Sequence, residues 1–482
     1  MLLGREMTNQ EMPDNQTKEQ NVEFVEKSLY EKHRKVYARA ISGKFNNLRW
    51  LLVFLTQAIF YIGPWIQWGG RQALLLDLVE RKFYIFGLVL WPQDVIYLSV
   101  ILLLSAFALF LFTAVAGRLF CGYACPQTVY TEIFMWIENK IEGDRNARIK
   151  LDQAPMSAAK LRIKATKFFL WGIVSFWTGV TFVGYFMPMH ELIGDLVNLT
   201  ISGWSAFWVF FYSAFCFLQA GFMREQVCKY MCPYARFQSV MFDPDTLIVT
   251  YEEARGEPRG PRRKSDDLKA KGLGDCVDCK VCVQVCPTGI DIRNGLQYEC
   301  IGCGLCIDAC NEIMAKMDYA PGLIRYDTEN SVNKHYTSKE MLRHVMRPRI
   351  MLYTGILLVI SAIFVYSLST RIPLRVDVLR DRGVMTREVG DGLTENVYLL
   401  HIMNMQDSVR TFSVKPEGMD KIRLDGPDTF KVEPLGNLTQ PINVRVPSDV
   451  GNPGANQIRF IIEDVENPSI KLDEKSTFIQ PK

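Results

Sequence analysis

Eight of the chain's thirteen cysteines stand in two consecutive copies of one spacing, Cys276-x2-Cys279-x2-Cys282-x3-Cys286-Pro287 and Cys300-x2-Cys303-x2-Cys306-x3-Cys310. Thiolates so spaced let one loop reach three irons of a [4Fe–4S] cube, while the fourth ligand comes from further along the chain. Such a segment must fold around what its sulfurs hold, and electron transfer is the chemistry expected of it. Zinc fits less well, because zinc sites usually pair CxxC knuckles across a longer loop, and disulfides fit no better. Pro287 and the small residues Thr288, Gly289, Gly302 and Gly304 suit packing around a bulky cube.

The spacing is that of a bacterial two-cluster ferredoxin, in which the fourth ligand of each copy crosses over to the other cluster. On that template Cys276, Cys279, Cys282 and Cys310 hold one cluster, and Cys300, Cys303, Cys306 and Cys286 the other. Asn311 stands where proline usually follows the last cysteine; this removes no ligand. Cluster thiols must be loaded in a reducing compartment, which places residues 276–310 in the cytoplasm.

At 482 residues the chain is too long for one ordinary domain, and its net charge of +3 gives no general case for nucleic-acid binding. Its apolar residues gather in five runs, near Trp50–Trp68, Val95–Ala116, Phe168–Met187, Trp204–Phe222 and Ile350–Ser369, each long enough to span a bilayer. Trp50, Trp65, Trp68, Tyr185, Trp204 and Tyr366 sit near their ends, as interfacial residues do. Residues 117–165 carry eight Lys and Arg and residues 188–202 none, and basic stretches also precede the first and fifth spans. The expected topology puts the N-terminus and the cysteine-rich insert inside and the C-terminus outside, in a bacterial inner membrane. The polar N-terminal stretch lacks the apolar core of a signal peptide and reads as a cytoplasmic tail. Residues 69–93 read as amphipathic, a short helix and turn on the outer membrane surface. Beyond about 370, alternating runs at Val397–Met403, Phe412–Val414, Ile442–Val446 and Gln457–Ile462 are separated by turn signals and predict a small β-sandwich.

Four more cysteines form a duplicated motif. Cys121-Gly-Tyr123-Ala-Cys125-Pro126 follows the second span, and Cys228-Lys-Tyr230-Met-Cys232-Pro233 the fourth; each has an arginine just before it, Arg118 and Arg224. Each motif follows a pair of spans, so the repeat is parallel and brings both motifs to one depth. A spacing of four puts both sulfurs of a pair on one face of a turn, and the proline disfavours helix at the second cysteine. Such thiols suit Cu(I), a third iron–sulfur cluster or zinc; they also suit a dithiol cycling with a disulfide, or plain buried packing. Cys216, alone in an apolar helix, reads as packing. None of the five histidines lies in a predicted span, which excludes a bilayer haem with two histidine ligands. CxxCH, a dinucleotide-type GxGxxG and a P-loop are absent.

The two CxYxCP segments, the stretch Cys232-Pro-Tyr-Ala-Arg-Phe-Gln-Ser239, the linker Arg255-Gly-Glu-Pro-Arg-Gly260, the paired cluster motifs and the β-rich tail together resemble the cytochrome c oxidase accessory protein family. This is the CcoG, FixG or RdxA group of bacterial membrane polyferredoxins, and the resemblance runs from the first span to the tail. It implies an immunoglobulin-like tail and a role in assembling a cbb3-type oxidase through reduction of Cu(II) to Cu(I). It also implies that the two [4Fe–4S] clusters feed electrons to Cys121, Cys125, Cys228 and Cys232, which handle copper ions or relay electrons. Tyr123 and Tyr230 are candidates for hydrogen bonds to those sulfurs, or for packing. The expected partners are the lipid bilayer, an unidentified cytoplasmic or quinol electron donor, copper ions and oxidase assembly factors.

The expected architecture is a multi-domain membrane protein: an α-helical bundle of about five spans, an α+β two-cluster ferredoxin insert and a C-terminal all-β immunoglobulin-like sandwich. Its parts are a tail (1–47), a four-helix membrane domain (48–250), the ferredoxin domain (251–330), a basic segment with the fifth span (331–370) and the sandwich (371–482). Two other functions compete: a quinol dehydrogenase-type carrier like NapH, and a non-catalytic assembly scaffold with structural clusters. Outside the resemblance, His401, Met403 and Met405 share one face of a predicted strand, a thioether–imidazole set that suits Cu(I) or ordinary packing.

Overall fold

The computed structural model describes residues 35–264, 272–334, 336, 338–381, 386–390 and 392–481. Most of the expected N-terminal tail therefore lies outside the described residues. Among the described residues, five helices are long and apolar enough to cross a membrane. They are α1 (Lys44–Ile62), α2 (Val95–Ala116), α5 (Ala158–Val183), α6 (Gly203–Leu218) and α9 (Pro348–Ser369). Between α2 and α5 lie the short α3 (Leu119–Tyr123) and α4 (Pro126–Glu142); α7 (Pro233–Met241) follows α6, and α8 (Leu305–Met317) precedes α9.

The apolar faces of these helices stay largely unburied within the chain: α2 buries only Thr113 and Ala114, and Phe210, Leu218, Leu358 and Ile363 are exposed. In water such surface would be unstable, and in lipid it is not. Packing between spans uses small residues. Gly179 of α5 lies so close to α6 that a Cβ there would stand 2.5 Å from the Val209 carbonyl oxygen. The first pair of spans is less tight than expected, since α2 runs mainly along α9.

Residues 69–93 correct the sequence reading. They form a three-stranded antiparallel sheet, β1 (Leu74–Asp77), β2 (Lys82–Ile85) and β3 (Leu88–Leu90), in place of a helix. Asp77 Oδ1 accepts hydrogen bonds from the amides of Val79 (2.9 Å) and Glu80 (2.8 Å), which closes the first turn. The segments are too short to propagate a helix, and Phe83, Tyr84 and Ile85 favour strand. This sheet docks on the C-terminal domain: Val89 and Trp91 bury Met403, and Arg371 pairs with Asp94 and donates to the Val89 carbonyl (3.0 Å).

The C-terminal domain is a two-sheet sandwich. After β4 (Ile248–Tyr251) and β5 (Ile324–Asp327), which pair in the cysteine-rich unit, come β6 (Leu374–Arg380), β7 (Arg387–Val389), β8 (Leu393–Asn404) and β9 (Arg410–Glu417). Then follow β10 (Arg423–Asp425), β11 (Thr429–Val432), β12 (Asn437–Pro447), β13 (Gly454–Asp464) and β14 (Lys471–Gln480). One sheet runs β10-β12-β8-β6 with β7 on β8, and the other runs β11-β9-β13-β14. Inward residues of both sheets, including Tyr398, Leu400, Phe412, Val444, Phe460 and Phe478, make one core. Tyr398 also donates its hydroxyl across the sheets to the Thr477 carbonyl (2.9 Å). Tyr398→Phe removes that part-buried hydrogen bond and is expected to cost the sandwich about 1 kcal/mol, read from its unfolding midpoint in denaturant.

Candidate functional site

The cysteine-rich unit holds two small cavities of nearly equal size. Cys276, Cys279, Cys282 and Cys310 line the first, with Tyr251 and Leu323 among its walls. Cys286, Cys300, Cys303 and Cys306 line the second, which Cys282 also touches. Helix α8 explains why the two copies exchange a ligand. Cys306 in its first turn faces one cavity, and Cys310, one turn on along the same side, faces the other. The turn Val281–Gln284 brings Cys282 to the first cavity, and Cys286, two residues beyond it, lines the second.

Electrostatics sort the thiols in the same way. Burial pushes Cys310 up to about 12, and Cys282, Cys276 and Cys279 add to it. Burial raises Cys300 to about 12 and Cys303 to about 11, with Cys286 acting on both. Thiols held this high are protonated at neutral pH, so they become ligands only when a metal displaces the proton. Paired cavities, apolar walls and sulfur donors on every side fit two [4Fe–4S] groups. Among the described residues no three His, Cys, Asp or Glu side chains stand together around one point, so a single ion at the motif cysteines would be held by a pair of sulfurs.

The duplicated motifs meet directly beside the second cavity. Cys121 sits in α3 and Cys125 is the extended N-cap of α4, with Pro126 in its first turn. Cys228 lies in a π-helical turn (Val227–Met231), and Cys232 is the extended N-cap of α7, again followed by proline. Single π turns recur at functional sites because they open the backbone ladder. The four sulfurs are electrostatic neighbours: burial, then Cys125, pushes Cys121 up to about 11, and burial, then Cys125, Cys121 and Cys232, pushes Cys228 up to about 12. The Cys121 thiol also points to Gln238 Oε1 (3.5 Å), a side chain with no exposed surface.

Contact with the cluster loop runs through Gly122 and Arg118. A Cβ on Gly122 would stand 2.8 Å from the Ile301 carbonyl oxygen and 2.9 Å from Cys303 Cα. Arg118 donates to the carbonyls of Cys300 (3.1 Å) and Ala235 (3.0 Å), tying the first motif to the cluster loop and to α7 at once. Gln127 donates to the Gln219 (3.1 Å) and Arg224 (3.2 Å) carbonyls and joins the first motif to the second hairpin. Gly122→Val must push the cluster loop back, because backbone on both sides cannot yield cheaply. If electrons pass from the cysteine-rich unit to the motif cysteines, Gly122→Val is expected to slow that step by about tenfold or more. Rapid-mixing absorbance traces on the reduced protein check this.

Some expectations change here. The Tyr123 hydroxyl meets Tyr326 (3.1 Å), whose own hydroxyl donates to the Gly302 carbonyl (2.6 Å), so it supports the loop rather than a sulfur. Tyr230 is exposed. His401, Met403 and Met405 do not form an open metal face: Met403 is fully buried under β3, Met405 Sδ accepts from Arg371 (3.0 Å), and His401 Nδ1 bonds the Thr439 hydroxyl (2.6 Å). Gly122 and Gln238 were missed. The one available signal was that glycine stands in the first motif where the second has Lys229.

Comparison with known proteins agrees with this layout. A family of 4Fe-4S dicluster domains matches residues 223–329, a 4Fe-4S binding domain matches 98–143, and the immunoglobulin-like fold at the C-terminus of FixG matches 364–481. The chain is 38% identical over 430 residues to the nitrogen fixation protein FixG of Rhizobium meliloti, covering 83% of this chain and 82% of that protein. It is 35% identical over 454 residues to protein RdxA of Cereibacter sphaeroides, covering 91% of this chain and 96% of the relative. Protein RdxB of the same organism is 37% identical over 452 residues, with 91% and 94% covered. Five apolar helices, paired iron–sulfur domains and this tail make the chain a member of the FixG/RdxA family of membrane-bound iron–sulfur electron-transfer proteins.

Proposed function

We propose that the protein reduces Cu(II) to Cu(I) at Cys121, Cys125, Cys228 and Cys232, in support of cbb3-type oxidase assembly. The observation that carries this reading is the contact of Gly122 with Ile301 and Cys303, which sets the motif cysteines against the wall of the second cavity. In this reading Cys276, Cys279, Cys282 and Cys310 hold one [4Fe–4S] group, and Cys286, Cys300, Cys303 and Cys306 the other. When bound, these groups supply one-electron reducing equivalents. The motif thiols supply selectivity: soft sulfur favours Cu(I) over Cu(II), so binding itself promotes reduction. Each pair couples a thiol within a helical turn (Cys121, Cys228) to one at the N-cap of the following helix (Cys125, Cys232), and burial raises the Cys125 thiol. The proposed topology keeps these sites and the N-terminus in the cytoplasm of an inner-membrane protein and the sandwich in the periplasm. That placement follows the Lys and Arg of residues 117–165. The copper substrate and the oxidase follow the family resemblance. The test is anaerobic: protein with its clusters loaded is reduced with dithionite, freed of it, and mixed with Cu(II) and a Cu(I)-specific chelator. Chelated Cu(I) forming far faster than in buffer supports the reading, and no excess over buffer removes it.

A further inference from the structure

A second redox-relevant space opens on the bilayer side of the same cysteines. It is a cavity of about 370 Å³ between α1, α4, α5 and α6. Ala124 and Pro126, the two neighbours of Cys125, form part of its wall, which is mostly apolar and includes the rings of Phe60, Phe182, Tyr212 and Phe215. No Lys, Arg, Asp or Glu lines it. Its polar lining includes Thr56, Gln57, Gln127, Thr178 and Gln219, and two groups matter most for a ligand. Gln57 Oε1 is buried and has no hydrogen-bond partner. Thr178 Oγ1 meets the Tyr61 hydroxyl at 3.0 Å, while its own proton goes to the Val174 carbonyl (2.7 Å).

An occupant has to satisfy each of these. It reaches the site through lipid, so it is lipophilic. It carries no phosphate, because no cation is there to meet one, and this argues against nucleotide carriers. It brings a hydrogen-bond donor to Gln57, since an unpaired buried carbonyl is costly. Against the wall of Cys125 it is placed to exchange electrons. We propose that the cavity binds the ring of a membrane quinol, a second source of electrons for Cu(II) at the motif cysteines beside the iron–sulfur unit. This rests on the copper reading above and adds to it a second donor and its entry point. One quinol loses two electrons and two protons, its two C–O–H groups becoming C=O. Two Cu(II) ions take one electron each, in succession, and both protons pass to water. Gln57 accepts a hydrogen bond from one quinol hydroxyl and orients the ring, and the aromatic wall stacks against it.

The experiment uses the full chain in lipid nanodiscs, with clusters loaded and a short-chain ubiquinol or menaquinol as probe. Three readouts are taken: Cu(I) formation driven by quinol, Cu(I) formation driven by dithionite, and photo-labelling by an azidoquinone mapped to peptides. Thr56→Phe fills the cavity, and Gln57→Leu removes the acceptor at similar volume. Wild type is expected to form Cu(I) with quinol and to be labelled on α1 or α6. Thr56→Phe should lose about tenfold or more of the quinol-driven rate and the label, while its dithionite-driven rate stays near wild type. Gln57→Leu should chiefly raise the KM for quinol. Wild type that uses dithionite but not quinol overturns the proposal, and so does a Thr56→Phe variant that uses quinol as well as wild type does. If dithionite also forms no Cu(I), the copper reading fails and labelling decides. A label lost in Thr56→Phe keeps the quinol site; no label, or one that free lipid displaces as well as quinol does, shows an acyl-chain pocket and ends it.

Discussion

Cys125→Ser and Cys232→Ser are each expected to lower the Cu(II) reduction rate by more than about a hundredfold, with both [4Fe–4S] signals retained. Changes in residues that merely support a ligand cost about 10–100-fold, and loss of a ligand sulfur should exceed that. Serine keeps the volume and the N-cap, so helix α4 or α7 survives; what goes is soft sulfur at the positive end of a helix. Cys125 and Cys232 lie outside both paired cavities, so the cluster absorbance should be unchanged. Cys216→Ser, in the last turn of α6, is the control and should reduce copper like wild type when dithionite supplies the electrons.

Glu138→Leu is expected to destabilise the protein by about 3–5 kcal/mol, the cost of leaving buried charges without their counter-charge. Glu138 in α4 has almost no exposed surface and meets Arg224 (2.7 Å), Arg148 (3.0 Å) and Lys167 (3.7 Å). Its neighbour Glu142 pairs with Lys164 (2.7 Å) and Lys167 (3.0 Å). Although burial opposes ionisation, Arg224 and then Lys167 and Arg148 hold the Glu138 carboxyl below its usual range. The network binds α4 to α5 and, through Arg224, to the second motif. Replacing the carboxylate therefore loosens both cysteine pairs as well as the bundle. Thermal unfolding in detergent measures the loss; a Glu138→Leu protein as stable as wild type would show the network to be dispensable.

Elements set by local chemistry were legible in the sequence. Helix α2 is uniformly apolar between Asp94 and Gly117, so its limits can be read directly, whereas α5 begins ten residues before the expected Phe168 because Lys160 to Lys167 are good helix formers beyond the apolar core. The sandwich strands showed themselves by alternation, as in Ile442, Val444 and Val446. Features set by distant contacts were not legible. The sheet β1–β3 depends on Arg371 and Met403, about 280 and 310 residues on, to cover Val89. Gly122 looks like any glycine until Ile301 is placed against it. The bilayer cavity is lined from α1, α4, α5 and α6 at once, and no spacing along the chain announces it.

The central claim is that the duplicated cysteine pairs are where reducing equivalents leave the iron–sulfur unit for copper. The most direct measurement mixes anaerobic, cluster-reduced protein, stripped of dithionite, with one equivalent of Cu(II). Cluster absorbance and chelated Cu(I) are followed together in wild type and in the Cys125→Ser/Cys232→Ser double variant. The account predicts that absorbance recovers in wild type as one Cu(I) forms per electron lost, and that in the double variant the clusters stay reduced for more than about a hundred times longer. Recovery at the same rate in both proteins would contradict it.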